Sequence, residues 1–273
     1  MLWRQLWGAG MSERQYLSAL RLVRNAGDRV DDRTGVGTRW YHGLTMKFWL
    51  ARGSVPLLQS KRIDWRVPLD ELLWFIRGEH NIRTLNSGIW DEWASPDGDL
   101  GPIYGVQWRG MGACKTDQLA AAIDGLKTNP YSRRHVVTAW VPDDVDDMAL
   151  PPCHTLYQFN MTRKRQLCCS LYMRSGDMFL GVPFNIFEYG VLTHMVAKLV
   201  GATPWELSVY VANAHVYNNH VAAVDEQLSR SYRYEFPKLV ISGEQQSIDD
   251  FKAEDFRIKG YHPMPRIKAP VAV

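Results

Sequence analysis

The chain has 273 residues, 46% of them hydrophobic, so it can bury a core of its own, and no Ser/Gly-rich linker, repeat or low-complexity tract divides it. Its formal charge is +3 and its 32 basic residues are dispersed rather than gathered in a stripe, which argues against duplex nucleic acid and suits a small anionic ligand better. No apolar run approaches membrane-spanning length, and Cys114, Cys153, Cys168 and Cys169 form no disulfide framework, so reduced thiols in a cytoplasm are expected.

In chain order, MLWRQLWGAGM is too short and too interrupted for a signal peptide. Residues 1–10 read as an extension or a mis-called start ahead of one domain over 11–273, because MSERQYLSALRLV opens more like a capped helix. That helix runs from Ser12 to Asn25 and ends in GDRVDDRTGVGT, which is turn chemistry. A strand-like WYHGLTMKFWL follows. LDELLWFIRG sets Leu69, Leu72, Leu73 and Phe75 at helical spacing, and DQLAAAIDGLKTNP is a helix closed by Asn129 and Pro130. RHVVTAWV, TLYQFNM, QLCCSLYM and LSVYVANAHVY are strand-like runs, and NIFEYGVLTHMVAKLVG, apolar around most of its circumference, reads as a buried helix. Without a βαβ rhythm, the mixture predicts an α+β fold.

Four polar groups stand out. Cys153 follows a Pro-Pro pair and precedes a strand, which lifts it above an inert buried thiol toward a nucleophile. No CxxC or HxxxH closes a metal set around it. His154 adjoins it but points to the opposite face of a strand, so a structural role suits it better than that of a base. Arg33, Arg133, Arg134 and Arg174, set beside Ser or Gly in turns, offer the forked donors that a phosphate monoester needs; a solvated surface role is the alternative for each. In FLGVPFN a loop presents Phe184 and Asn185; Asn185 is either a helix N-cap or a carboxamide reading the edge of a base. His215 and Tyr217 share one face of a strand and suit ribose hydroxyls or a buried pair.

Together these residues resemble the thymidylate synthase family from about Gln15 to Val273: DRTGVGT, ELLWF, IWDEWA, GDLGPIYG, QWR, SRR, PPCH, RSGD, FLGVPFN, HVYNNH and IKAPVAV stand in that family's order. The resemblance implies a single domain with a large mixed β-sheet flanked by helices, packed against its twin in a homodimer. It implies that Cys153 adds to C6 of dUMP and that C5 then takes a one-carbon unit from 5,10-methylenetetrahydrofolate. By the same resemblance Arg33, Arg174 and Ser175 hold the phosphate, with Arg133 and Arg134 reaching it from the partner, and the positive charge lowers the Cys153 pKa. His215 and Tyr217 hold the ribose, and Asn185 selects uracil, where relatives acting on dCMP carry Asp. Glu71 and Tyr104 manage protons, joined in the catalytic set by Asn185, Arg174 and Asp177. Lys61, Ile89, Trp90, Trp93, Leu150, Asp177, Gly181, Phe184 and Val273 line the folate site; no metal, membrane or nucleic acid is called for.

The sequence departs from the family pattern at Met173, Ala212, Asn213 and Gly176, where Gln, Gly, Asp and often Cys are usual. Two other outcomes stay open on sequence: a dUMP 5-hydroxymethylase, in which water rather than hydride quenches the exocyclic methylene, and a retired relative that binds nucleotide or RNA. Retention of Trp90, Leu150 and the terminal IKAPVAV favours the methylase.

Overall fold

The computed structural model describes residues 12–112, 114–231 and 235–271. The extension read at residues 1–10 lies outside them. Strands, the longer of them with alternating burial, build a six-stranded sheet from β1 (Asp28–Val30), β2 (Thr38–Trp49), β3 (Val136–Thr138), β4 (His154–Met161), β5 (Gln166–Asp177) and β6 (Thr203–Tyr217), in the order β1-β2-β6-β5-β4-β3. A two-stranded ribbon pairs β7 (Lys238–Ile241) with β8 (Phe256–Lys259). The helices are α1 (Arg14–Ala26), α2 (Arg66–Ile76), α3 (Tyr104–Gly110), α4 (Gln118–Thr128), α5 (Gly181–Leu199) and α6 (Val221–Ser229). The expected α+β class and the helix-flanked mixed sheet are what the chain forms. Among the described residues no helix is long and apolar enough to cross a membrane.

Two local readings need correction. β5 and β6 pair in parallel and α5 joins them, so the chain does contain one βαβ crossover, as parallel neighbours require. The turn-rich GDRVDDRTGVGT holds strand β1. Helix α1 starts after Glu13, which makes no side-chain cap of its own: Ser12 Oγ accepts the Arg14 N–H at 3.4 Å, and the buried Glu13 carboxylate accepts from the Gln59 and Ser60 backbone N–H groups at 2.6 and 3.1 Å. A tertiary demand takes the Glu13 side chain, and Ser12 before it bonds the first turn.

Helix α5 carries apolar residues on every side because it is covered on every side. It packs on β5 and β6 below and on α2 above, and Phe187, Val191, Leu192 and Met195 are fully buried. Each such side chain contributes about 1.5–3 kcal/mol of burial free energy. With α5 fixed, its N-terminal turns stand beside the C-terminal ends of β5 and β6. Opposite them, the register between β4 and β5 slips between His154 and Leu156, a bulge at the place where Pro151 and Pro152 lead into β4.

Candidate active site

Cys153 sits half-buried at the mouth of β4, and Arg174 of β5 holds it there. The Arg174 guanidinium donates from Nε to the Pro152 carbonyl at 2.8 Å and from Nη2 to the Pro151 carbonyl at 2.7 Å, while its backbone N–H donates to the Cys153 carbonyl at 2.9 Å. The two prolines carry no N–H, and one planar fork grips both of their carbonyls. Nη2 lies 4.0 Å from Cys153 Sγ. Burial pushes the thiol up; Arg174 and Arg33 pull it down, Asp177 pushes it up, and the balance stays above the ordinary cysteine value. The expectation of a depressed pKa is therefore corrected for the ligand-free chain: the arginines act in the expected direction, but burial outweighs them.

Behind Cys153 lies a buried, largely neutral network. Tyr104, first residue of α3, accepts the Cys153 backbone N–H at its Oη at 2.7 Å. Burial keeps that phenol well above its ordinary pKa, so it retains a proton to donate. α3 reaches α2 closely because residue 105 is glycine: a Cβ there would meet the Phe75 carbonyl at 2.8 Å. His154 stacks on Tyr104 with ring centroids 3.9 Å apart, and its Nδ1 is bonded to Tyr189 Oη at 2.8 Å. Burial lowers His154 to about 3, so it stands neutral. Glu71, on the buried face of α2, accepts Trp90 Nε1–H at 2.7 Å. Burial raises its carboxyl, an effect that its hydrogen bonds to Glu188 and Trp90 moderate.

Asn185 does not cap α5 or stand in a loop. The helix begins at Gly181, and Asn185 lies in its second turn, with Nδ2 donating to Glu188 Oε2 at 3.2 Å. A Cβ on Gly181 would lie 3.9 Å from both Asn185 Oδ1 and Asp177 Cβ, so these three residues converge. Asp177 Oδ1 accepts the Phe179 N–H at 2.8 Å and pairs with His220 Nδ1 at 3.8 Å. Burial opposes its ionisation, but His220, His215 and that N–H together hold it below the ordinary carboxylate value. Register sets Ser175 opposite Asn213 and Asp177 opposite His215 on β6. His215 and Tyr217 meet edge to face at 5.2 Å.

Arg33 is exposed in a loop tied by Asp32, which accepts from Gly37 N–H at 2.8 Å and Thr34 Oγ1 at 2.8 Å. Gly37, with φ 74°, supplies the left-handed turn. Arg133 and Arg134 precede β3 at the sheet's far edge; both side chains are exposed, and neither is among the charges acting on this chain's Cys153.

One wall is apolar. Ile89, Trp93, Leu150 and Phe184 are half-buried and pack on the core, and Trp90 is buried, edge to face with Trp93 at 5.7 Å. Lys61 is buried as well: its Nζ donates to the Phe179 carbonyl and lies 3.6 Å from the Phe179 ring centroid. Burial lowers Lys61 to about 7. Val273 lies outside the described residues. Among the described residues no group of His, Cys, Asp and Glu gathers as a metal site.

Comparison with known proteins agrees with this geometry. The family model described as thymidylate synthase matches residues 14–273. A curated thymidylate synthase of Ascaris suum is similar to the chain, 45% identical over 287 aligned positions that cover 96% of this chain and 97% of the relative. The chain belongs to the thymidylate synthase family.

Within a thymidylate synthase framework, the departures from the usual motifs acquire local partners. A side chain at Gly176 would place its Cβ 2.8 Å from both Val182 Cγ2 and Val211 Cγ1, so neighbouring valines occupy the space a cysteine would use. Met173 is buried in the same cluster, where an amide would be costly. Asn213 gives its side-chain oxygen to His215 Nδ1 at 3.1 Å. Nothing in the structure explains Ala212. Sequence reading missed Glu188 and His220. For Glu188 a signal existed: it follows Asn185 by three residues, which is one face once the helix is known to include both.

Proposed function

We propose that this chain, through a catalytic domain over residues 11–273, converts dUMP to dTMP with 5,10-methylenetetrahydrofolate as co-substrate. The observation that carries the reading is Cys153 Sγ, held 4.0 Å from Arg174, with Tyr104 bonded to the Cys153 backbone N–H and Asn185 bonded to Glu188. Cys153 loses its proton and adds to C6 of the uracil ring; the electron pair of the C5–C6 bond moves toward C5 and O4, and C5 becomes nucleophilic. Glu71 and Tyr104 hold the protons nearest O4 and C5. The folate, when bound, supplies the one-carbon unit and the hydride.

Phosphate binding falls to Arg33, Arg174 and Ser175, ribose binding to His215 and Tyr217, and uracil recognition to Asn185. Arg174 already spends two donors on Pro151 and Pro152, so it positions Cys153 and lends charge to the phosphate at once. Ile89, Trp90, Trp93, Leu150 and Phe184 form the folate's apolar wall, with Asp177 and Gly181 beside the pterin, Lys61 behind Phe179 and Val273 closing over the site. The chain acts in the cytoplasm as a homodimer in which Arg133 and Arg134 enter the partner's site. Support comes from their exposure at the sheet edge and from Val136, Trp140, Leu156 and Tyr172, large apolar residues exposed on the sheet and the segment beside it. The added charge also supplies what Cys153 lacks in the single chain.

Incubation with dUMP and methylenetetrahydrofolate, followed by mass analysis of the nucleotide, tests the reaction. The expected product is dTMP with dihydrofolate; a product heavier by one oxygen would make the chain a hydroxymethylase. With 5-fluoro-dUMP and the folate a Cys153 adduct is expected, and Cys153→Ser should abolish both adduct and turnover.

A further inference from the structure

Glu188 is an acidic residue in the middle of a helix that is apolar on all sides. It is 2% exposed, yet no cation neutralises it among the described residues. Its Oε2 accepts from Asn185 Nδ2 at 3.2 Å, and its Oε1 is buried without a donor. An unpaired carboxylate in that position is costly, but a protonated one is not. Burial, then the neighbouring Glu71 carboxyl, drives Glu188 well above the ordinary carboxylate value. With its proton on Oε1, Glu188 can donate to the Glu71 carboxyl, to which its side chain is hydrogen-bonded, and Oε2 becomes a carbonyl-type oxygen that only accepts.

We propose that Glu188 is a positioning residue for base selection: by accepting from Asn185 Nδ2, it fixes which way the Asn185 amide faces, and by donating to Glu71 it joins uracil recognition to the proton-handling carboxyl. The inference deepens the dUMP reading and rests on it. Asn185 has a second N–H and its Oδ1 left for a ligand. Uracil offers N3–H as donor and O4 as acceptor, which matches that amide with Oδ1 toward N3 and the free N–H toward O4. Cytosine offers N3 as acceptor and N4–H as donor, which needs the amide turned over. The turned amide would set Asn185 Oδ1 against Glu188 Oε2, two acceptors with no proton between them. Discrimination against cytosine thus comes from the residue behind Asn185 as well as from Asn185 itself.

The test compares the full-length parent with Glu188→Gln and Glu188→Met, measuring kcat and KM for dUMP and inhibition by dCMP. Glutamine offers one acceptor to Asn185 and one donor to Glu71, as the protonated acid does; methionine keeps the bulk and offers neither. Glu188→Met is expected to raise KM for dUMP and to cut the preference for dUMP over dCMP by about tenfold or more, with a smaller change in kcat. Glu188→Gln is expected to recover most of that preference. A Glu188→Met protein that keeps the parent's preference overturns the proposal, and so does a Glu188→Gln protein that loses as much as Glu188→Met. Should Glu188→Met fail to fold, Glu188→Gln decides alone: loss of preference beyond tenfold overturns it and retention supports it. A parent that neither turns over dUMP nor forms the 5-fluoro-dUMP adduct sinks the functional reading as well, which separates the two failures.

Discussion

The surroundings of Cys153 are built on two opposite electrostatic plans. On one side Arg174 and Arg33 put formal charge at a mouth still open to water, where Arg33 is exposed and Arg174 half-buried. On the other, Glu71, Glu188, Tyr104, His154 and Tyr189 are buried together, and burial pushes every acid up and the histidine down. Charge is affordable where solvent or a phosphate can share it; in the interior burial favours the neutral form of each of these groups, as hydrogen-bond donor or acceptor. In the proposed reaction the first side meets the phosphate and the second the uracil ring.

The contrast breaks most sharply at Arg174. Arg174→Leu removes the fork on Pro151 and Pro152 and the nearest positive charge to Sγ together, so the Cys153 thiol should titrate higher still. Alkylation by iodoacetamide at pH 7 should slow by about tenfold for each unit of upward shift, with turnover falling further; Arg174→Lys, lacking the fork, should recover only part. Unchanged alkylation would show that the arginine does not govern the nucleophile.

The buried side is sharpened by acid. His154 is held at about 3 in the fold against 6.5 in its ordinary state, so the unfolded chain binds a proton that the native chain refuses. Its stabilising contribution is complete above pH 6.5 and is lost as pH falls toward 3, at about 1.4 kcal/mol per pH unit. Glu188 runs the other way, since the fold keeps its proton, and it partly offsets this in the parent. Urea titrations of the parent and His154→Asn between pH 6 and 4 should therefore differ in slope by about that amount; parallel slopes would mean His154 is already charged.

The smallest effect is expected at the seam between the two sides. Gly176→Cys should cost about 1–3 kcal/mol in urea denaturation, because its Cβ meets Val182 and Val211 at 2.8 Å. Adding Val211→Ala should return part of that loss, a coupling that a double-mutant cycle reads directly.

The helices and strands were legible where periodicity was strong, as in α2, α4, β4 and β5, and α5 was recognised as buried because no polar face interrupts it. Its start was misplaced by several residues. FLGVPFN contains Gly181 and Pro183, which look like loop residues, but Pro183 lies in the first turn, where its missing N–H has no partner to lose. From that shift followed the misreading of Asn185 as a possible cap. Cys153 and its arginines were visible through their motifs, whereas the Arg174 grip on Pro151 and Pro152 spans more than twenty residues and left no local trace.

By itself, then, the sequence determined the chemistry available: one thiol after two prolines, dispersed arginines, a carboxamide and an aromatic wall, ordered along the chain as in thymidylate synthases. Only the tertiary structure decided their protonation and polarity, because these depend on what surrounds each group in space. Burial raised the thiol despite its arginines, made His154 neutral, and turned Glu188 from an anonymous helical residue into the partner that orients Asn185.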